Sequence, residues 1–281
     1  SDDQTSAHYL TTNTLYNWPI ASAVTALDKN NDGYLDAVYF GNLGGNLFKL
    51  NIQDSDSSTW TPETFYRASA SSSGDPLQPI FLSPAVAFDP CYHLWVTFGT
   101  GDRENIRSTN KGRFVAIIDG GSTQNPSTLL NLSSNWASSS DQNYTMQMSS
   151  TWDGTKKGFY FNFPDTGEKM FDPEPTILPD KDFNPHVYFN TYKTSTSVTD
   201  DPCSSGGNMG VYDVKIATCG DSMSISGTKD DGRIAGGGLS SGKEYVIYQG
   251  ESTVASTKQK ETKKIAMPFT GGLVFWKEKR R

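Results

Sequence analysis

Five residues within the short segment 28–36 could together bind a metal ion through oxygen atoms. They are Asp28, Asn30, Asp32 and Asp36, through their side chains, and Tyr34, through its carbonyl. Calcium takes about six to eight oxygen ligands, and alternate residues of a tightly turning loop can aim their oxygens at one point. Gly33, at the sixth position, permits the sharp turn. The spacing therefore predicts a calcium-binding loop.

The segment differs from an EF-hand in one required ligand. An EF-hand loop has a bidentate glutamate at its twelfth position, which is Tyr39 here. Apolar runs flank the loop at residues 22–27 and 37–40, so we expect the ion to bridge two strands of one sheet. Without the glutamate, we expect a dissociation constant of about 10⁻⁴ to 10⁻⁶ M. The alternative is an acidic turn that binds no metal.

The sequence predicts no catalytic site, and we expect the chain not to be an enzyme. Residues 238–242 match G-x-S-x-G, but a glycine cluster precedes the serine and a strand follows it, whereas a nucleophile elbow needs a strand and then a helix. His93 and His186 each open an apolar strand without an evident acidic partner, so both are interpreted as strand-edge residues. No phosphate-binding glycine motif occurs.

Composition limits the kinds of partner that this chain can have. The net charge is -7, and the basic residues at 258–264 and 277–281 show no helical or aromatic-interleaved pattern, so nucleic acid is not an expected partner. We expect no membrane span, because no apolar run approaches the ~18 residues required. With 35% hydrophobic and 12% aromatic residues, the chain is typical of short strands joined by polar loops.

Three cysteines are present, at positions without the spacing of a metal site. Cys203 and Cys219 flank a glycine-rich turn and a predicted strand at 210–217, so we expect a disulfide between them. Cys91 would then be left over, either buried in a strand or paired with a segment absent from this sequence. The alternative for Cys203 and Cys219 is two separate buried thiols.

An internal repeat dominates the organisation of the chain. Two segments share a pattern of strand, turn, strand, glycine and strand. The predicted strands are 22–27, 37–41 and 46–52 in the first unit, and 83–88, 94–99 and 113–119 in the second. Two further units repeat the pattern more weakly. Their predicted strands are 186–189 and 210–214 in one unit, and 244–248 and 271–276 in the other. The chain therefore contains about four similar units.

Repeated short sheets at such intervals are typical of a β-propeller, because one blade cannot bury both of its faces alone. Four units rarely close a ring. We therefore predict an all-β fold, a modified or partial β-propeller of about four blade-like antiparallel sheets with long loops. The serine-rich segments 55–58, 69–73 and 133–140 are predicted to be connecting loops. A β-sandwich with long loops is the alternative.

The calcium loop and the glycine-rich hairpin after it, residues 27–50, resemble part of a known family. Similar segments occur in the C-terminal β-propeller domain of the PilC/PilY proteins, adhesins associated with the tip of bacterial type IV pili. Three further segments fit this family in the expected order, namely 98–103, 158–169 and 201–207. Residues 1–281 would then be the C-terminal part of such a propeller, with its first blades and the N-terminal region missing. Only the calcium ligands carry over residue by residue.

The resemblance implies a calcium-dependent role in pilus biogenesis, that is, in extension and retraction, and in attachment to host cells or abiotic surfaces. Ca²⁺ is the implied cofactor. The implied partners are minor pilins or the pilus tip complex, and the missing N-terminal part of the same propeller. The implied location is extracellular, at the bacterial surface or pilus tip, with outer-membrane association as an option.

Two other functions are compatible with the sequence. A carbohydrate-binding surface module would stack exposed aromatic rings, such as Trp60, Trp136 or Trp152, on sugar faces. A quinoprotein-like propeller enzyme would also use calcium, but it would need a metal site open to a cofactor.

Overall fold

The structure is a computed structural model that describes residues 18–68, 78–138, 144–151, 156–194, 207–217, 222–236, 244–254 and 257–266. The described residues form β-strands and two short 3-10 turns, Ser57–Thr59 and Ser133–Asn135. The predicted all-β class is therefore confirmed. Within these ranges, no helix is long and apolar enough to cross a membrane.

The strands follow one another along the chain with these bounds. They are β1 Thr25–Leu27, β2 Ala37–Gly41, β3 Asn46–Asn51, β4 Pro62–Arg67, β5 Ala85–Phe88, β6 Leu94–Gly99, β7 Arg113–Ile118, β8 Leu130–Asn131, β9 Trp136–Ser138, β10 Tyr144–Thr151, β11 Gly158–Asn162, β12 Lys169–Pro179, β13 Pro185–Thr194, β14 Gly207–Ala217, β15 Ser222–Gly236, β16 Glu244–Val254 and β17 Thr257–Ala266.

The chain divides into two compact units, Ser1–Asp231 and Gly232–Arg281. In the second unit, the end of β15 pairs with β16, and β16 forms an antiparallel hairpin with β17 from Glu244↔Ala266 to Val254↔Thr257. The predicted strand at 271–276 and the G-x-S-x-G segment at 238–242 lie outside the described residues.

Three sheets make up the first unit. The first sheet has the order β1-β2-β3-β4, the second β5-β6-β7-β11-β8, and the third β12-β13-β14-β15-β10-β9. Each sheet begins with strands that are consecutive in the chain and antiparallel, as predicted for blade-like sheets. In the second sheet, β8 pairs in parallel with β11. The described residues do not form a closed ring of sheets.

The second sheet lies between the other two and buries both of its faces. Successive residues of a strand point to opposite faces. Trp95 of β6 and Phe114 of β7 therefore pack in a cluster with the third sheet, whereas Val96 and Val115 pack in a cluster with the first. Every residue of β6 is buried. This two-sided burial explains why these strands are apolar runs rather than alternating ones.

The two glycines of the sequence repeat make room for the neighbouring sheets. A Cβ atom at Gly41, the last residue of β2, would lie 2.3 Å from Cγ2 of Ile80, which precedes the second sheet. A Cβ atom at Gly99, the last residue of β6, would lie 2.1 Å from Cε of Met170 in the third sheet. Each glycine thus permits a close approach by a side chain from the next repeat.

A buried ion network joins the segment between β11 and β12 to strands of the third sheet. Lys229 on β15 and Glu168, just before β12, are each about 1% exposed or less, and Nζ of Lys229 lies 3.2 Å from Oε2 of Glu168. Lys229 also pairs with Asp165, which accepts a 2.6 Å bond from Nζ of Lys193 and a 2.9 Å bond from the hydroxyl of Tyr144. Burial raises the pKa of Glu168 despite its partner Lys229.

Acidification is expected to destabilise the first unit between about pH 4 and pH 2 through Asp165. Burial alone would raise the pKa of Asp165, but hydrogen bonds from Lys193 and Lys229 outweigh it and lower the pKa to about 2. Because the folded pKa lies below the unfolded one, the stabilisation is present above the unfolded pKa and is lost as the pH falls through the folded pKa. The pKa of Glu168 is raised instead, so protonation of Glu168 favours the folded state and acts against this loss of stability.

Urea unfolding at several pH values tests this expectation. The parent chain should lose more stability across that window than the Asp165→Asn variant, which has no carboxyl group to protonate there. Equal losses in the two proteins would contradict the assignment of the acid sensitivity to Asp165.

Candidate metal site

The predicted calcium loop connects two paired strands of the first sheet. Residues 28–36 lie between β1 and β2, which are antiparallel with Leu27 opposite Ala37. The amide of Asp36 donates to the carbonyl of Leu27 at 2.8 Å and closes the base of the loop. The predicted placement of the loop between strands is confirmed.

Within the loop, the backbone winds around the side chain of Asp28. One carboxylate oxygen of Asp28 accepts a hydrogen bond from the amide of Asn31 at 2.6 Å, and the other accepts from the amide of Gly33 at 2.8 Å. The amide of Tyr34 donates to Asp32 at 2.9 Å. Asn31 and Gly33 have φ values of 60° and 91°, so the glycine lies where the turn requires a left-handed residue.

Asp36 turns back to the start of the loop. Its Oδ2 accepts a 2.6 Å hydrogen bond from the amide of Lys29, and the residue is 4% exposed. This hydrogen bond lowers the pKa of Asp36 below its ordinary value. The carboxylate therefore stays charged at neutral pH, as a metal ligand must.

The donor types of the loop fit calcium, whereas the carboxylates are not gathered around one point. The five predicted ligands offer only hard oxygen atoms, which suit calcium rather than zinc. Two of them touch, since Nδ2 of Asn30 lies 3.0 Å from Oδ2 of Asp32. Among the described residues, no three His, Cys, Asp or Glu side chains form a group that could hold a metal ion. Calcium binding would require Asp28, Asp32 and Asp36 to turn towards each other.

Asp119, next to the second sheet, forms an ion pair with Lys29 of the loop. This residue follows β7, and its carboxylate lies 2.7 Å from Nζ of Lys29 and 2.8 Å from Nζ of Lys49. The hydroxyl of Tyr39 donates to it at 2.9 Å. Burial alone would raise the pKa of Asp119, but the two lysines outweigh it and lower the pKa. Sequence reasoning missed this contact, because Lys29 and Asp119 are 90 positions apart.

His93 and His186 both have acidic partners, contrary to the expectation from sequence. Nδ1 of His93 lies 2.9 Å from Oδ2 of Asp89, across the turn between β5 and β6. Nδ1 of His186 lies 2.8 Å from Oδ1 of Asp213 on the neighbouring strand β14. The second pair forms through strand pairing over a distance of 27 residues, which is why it is not evident in the sequence.

The tryptophans give little support to a sugar-binding surface. Trp136 packs edge-on against Phe161 and Tyr212, with ring centroids 5.0 and 5.4 Å apart, and so belongs to the core. Trp60 is 38% exposed, and its indole N–H donates to the carbonyl of Asp54 at 2.8 Å. Trp152 lies outside the described residues.

The alternative that Cys91 is a thiol buried in a strand is wrong. Cys91 is disulfide-bonded and lies on the exposed turn after β5. Cys203 and Cys219 lie outside the described residues.

Comparisons with known proteins support the fold. No protein-family model matches the chain, and no curated protein matches it at a significant level. Among solved structures, the chain is similar to the C-terminal domain of PilY1 from Pseudomonas aeruginosa, with a TM-score of 0.51 and 16% sequence identity. The match covers 85% of this chain and 60% of that one. At this identity the likeness concerns the fold, and it agrees with the family resemblance of the sequence.

Proposed function

We propose that this chain is a calcium-binding, non-enzymatic component of a type IV pilus tip adhesin that acts in pilus biogenesis and surface attachment. The observation that carries the proposal is the oxygen-rich loop 28–36, held between paired strands, in a chain that shares its fold with a PilY1 C-terminal domain. In this proposal the chain is the C-terminal part of a β-propeller, with the three stacked sheets as blades.

The calcium ion would be held by Asp28, Asn30, Asp32 and Asp36 through side chains and by Tyr34 through its carbonyl. Bound calcium would supply a fixed positive charge at the centre of the loop and favour its ordered conformation. The loop is tied to the second sheet through the ion pair of Lys29 with Asp119. Ordering of the loop would therefore also favour the packing of the first sheet on the second, which couples calcium level to the shape of this surface.

Minor pilins or the pilus tip complex, and the missing N-terminal part of the propeller, are the proposed partners. The proposed location is outside the cell. The disulfide at Cys91 supports this location, because disulfides persist in oxidising compartments such as the periplasm and the cell surface.

Pilus isolation from the encoding organism tests this function. Pili sheared from cells grown in calcium should carry the chain together with minor pilins. An Asp28→Ala variant should alter the number of extended pili, whereas the Glu104→Ala control, an exposed acidic residue outside the ligand set, should leave it unchanged. Absence of the chain from sheared pili, and unchanged piliation in its deletion strain, would contradict the proposal.

A further inference from the structure

The three sheets of the first unit each display an aromatic ring on the segment that joins their first two strands. These segments are 28–36, 89–93 and 180–184, and their exposed aromatics are Tyr34, Tyr92 and Phe183. The rings are 78%, 85% and 55% exposed. Exposed aromatics placed at the same point of successive repeats form a pattern rather than isolated surface residues.

The two shorter segments, 89–93 and 180–184, adopt turns with the same hydrogen-bonding pattern. In one, the amides of Cys91 and His93 donate to Oδ1 of Asp89, each at 2.9 Å. In the other, the amides of Asp182 and Asn184 donate to Oδ1 of Asp180 at 2.8 and 2.9 Å. The third residue after each aspartate is the aromatic one.

Both aromatic residues adopt a backbone conformation that a glycine would adopt more readily. Tyr92 and Phe183 each have a φ value of 63°. Bulky residues rarely adopt this left-handed conformation, which strains the backbone. Tyr92 is 85% exposed and Phe183 is 55% exposed, so burial offsets little of the strain at Tyr92 and only part of it at Phe183. A binding role for the rings would account for their presence in both turns.

The three segments lie at one end of the stacked sheets. The hydroxyl of Thr25, at the start of β1, donates to Pro84, just before β5. The amide of Met170, at the start of β12, donates to Thr100 at 3.2 Å, beyond the end of β6. Since the end of β6 pairs with the start of β5, all three first strands start at the same end. The segments that follow them therefore lie towards the opposite end, which we call the loop end.

The charges of the loop end favour a cationic partner. The segment 52–61, which follows β3, lies at the same end because Asn51 pairs with Ala37. The exposed charged residues of these segments are Asp32, Asp54, Asp56, Lys181 and Asp182. Two nearby lysines, Lys29 and Lys215, are held in ion pairs with Asp119 and Asp180. Lys157, whose carbonyl accepts from the amide of Ile118 at the end of β7, is a further exposed lysine at this end. The exposed carboxylates named here therefore outnumber the exposed lysines by four to two.

We propose that the loop end docks a polypeptide segment that carries lysine or arginine side chains. Aromatic faces attract such cations, and neighbouring carboxylates add a favourable charge interaction. Tyr92 and Phe183 are the specificity-determining residues of this surface. The proposal goes beyond the proposed function. Neither Tyr92 nor Phe183 belongs to the metal loop, and among the acidic residues of the loop end that are named as exposed, only Asp32 is also a proposed calcium ligand.

A fluorescein-labelled peptide of alternating lysine and glycine is the probe, and fluorescence anisotropy measures its dissociation constant. The double variant Tyr92→Gly/Phe183→Gly should weaken binding about tenfold or more, because two cation–aromatic contacts are lost. Glycine suits the positive φ at both positions, so the variant should unfold at a urea concentration no lower than the parent. The matched control is Ile106→Ala, which truncates a 40% exposed side chain after β6, at the other end of the sheets; it should bind like the parent.

Three results would overturn the proposal. The first is equal binding of the lysine peptide by the parent and the double variant. The second is binding of a glutamate–glycine peptide by the parent as tightly as the lysine peptide. The third is that the lysine peptide does not bind, whereas neutral oligosaccharides bind the parent and not the double variant. Each measurement is repeated with chelator and with millimolar calcium. A failure of calcium binding leaves the comparison of the variants intact, so the two proposals are judged separately.

Discussion

Replacing Lys229 with methionine is expected to lower the free energy of unfolding by about 3 to 5 kcal/mol. Lys229 is fully buried, and its ammonium group faces the carboxylates of Glu168 and Asp165. The ammonium also lies 4.6 Å from the centre of the Tyr144 ring. Methionine keeps most of the side-chain volume but removes the charge, so two neighbouring carboxylates lose their common cation. Such a loss costs far more than the removal of an exposed ion pair.

Urea unfolding of matched variants checks this expectation. Lys193→Met removes a second partner of Asp165, but its side chain is 22% exposed, so the loss should be about 1 kcal/mol. The double variant Lys229→Met/Glu168→Gln should recover part of the loss, because it removes one of the two carboxylate charges that Lys229 no longer neutralises. A Lys229→Met protein as stable as the parent would show that the network contributes nothing to the stability of the first unit.

The second large effect concerns calcium. Raising free calcium from chelator conditions to millimolar is expected to increase the free energy of unfolding by about 1.4 to 4 kcal/mol. This range follows from mass action with the dissociation constant of about 10⁻⁴ to 10⁻⁶ M that is expected for this loop.

Two aspartate variants separate binding in the loop from a general effect of the ion. Asp28→Ala removes the side chain around which the loop winds, and its stability should not respond to calcium. Asp54→Ala removes an exposed carboxylate outside the ligand set and should respond like the parent. Equal calcium responses in the two variants would exclude loop 28–36 as the site.

Local features of the sequence predicted strands β1 to β3 and β5 to β7 of the first two sheets, but not β4, β8 and β11. The bounds of β2 and β6 are those expected from the repeat, because apolar runs that end in glycine are local signals. The calcium loop was also placed correctly between its strands, since both its glycine and its alternating oxygens lie within nine consecutive residues.

Long-range contacts could not be predicted in the same way. The polar strand β15 inserts between β14 and β10 in the third sheet, a pairing set by packing rather than by local pattern. Lys229 on this strand is buried against Glu168, which is 61 positions away, and a lysine in a polar segment would ordinarily be expected to lie at the surface. The partners of His186 and Cys91 were missed because both depend on tertiary structure.

Calorimetric titration of calcium into metal-free protein tests the central claim most directly. The account predicts one calcium ion per chain, with a dissociation constant of about 10⁻⁴ to 10⁻⁶ M, and no binding by the Asp28→Ala variant. The absence of heat at millimolar calcium, or unchanged binding by that variant, would contradict it.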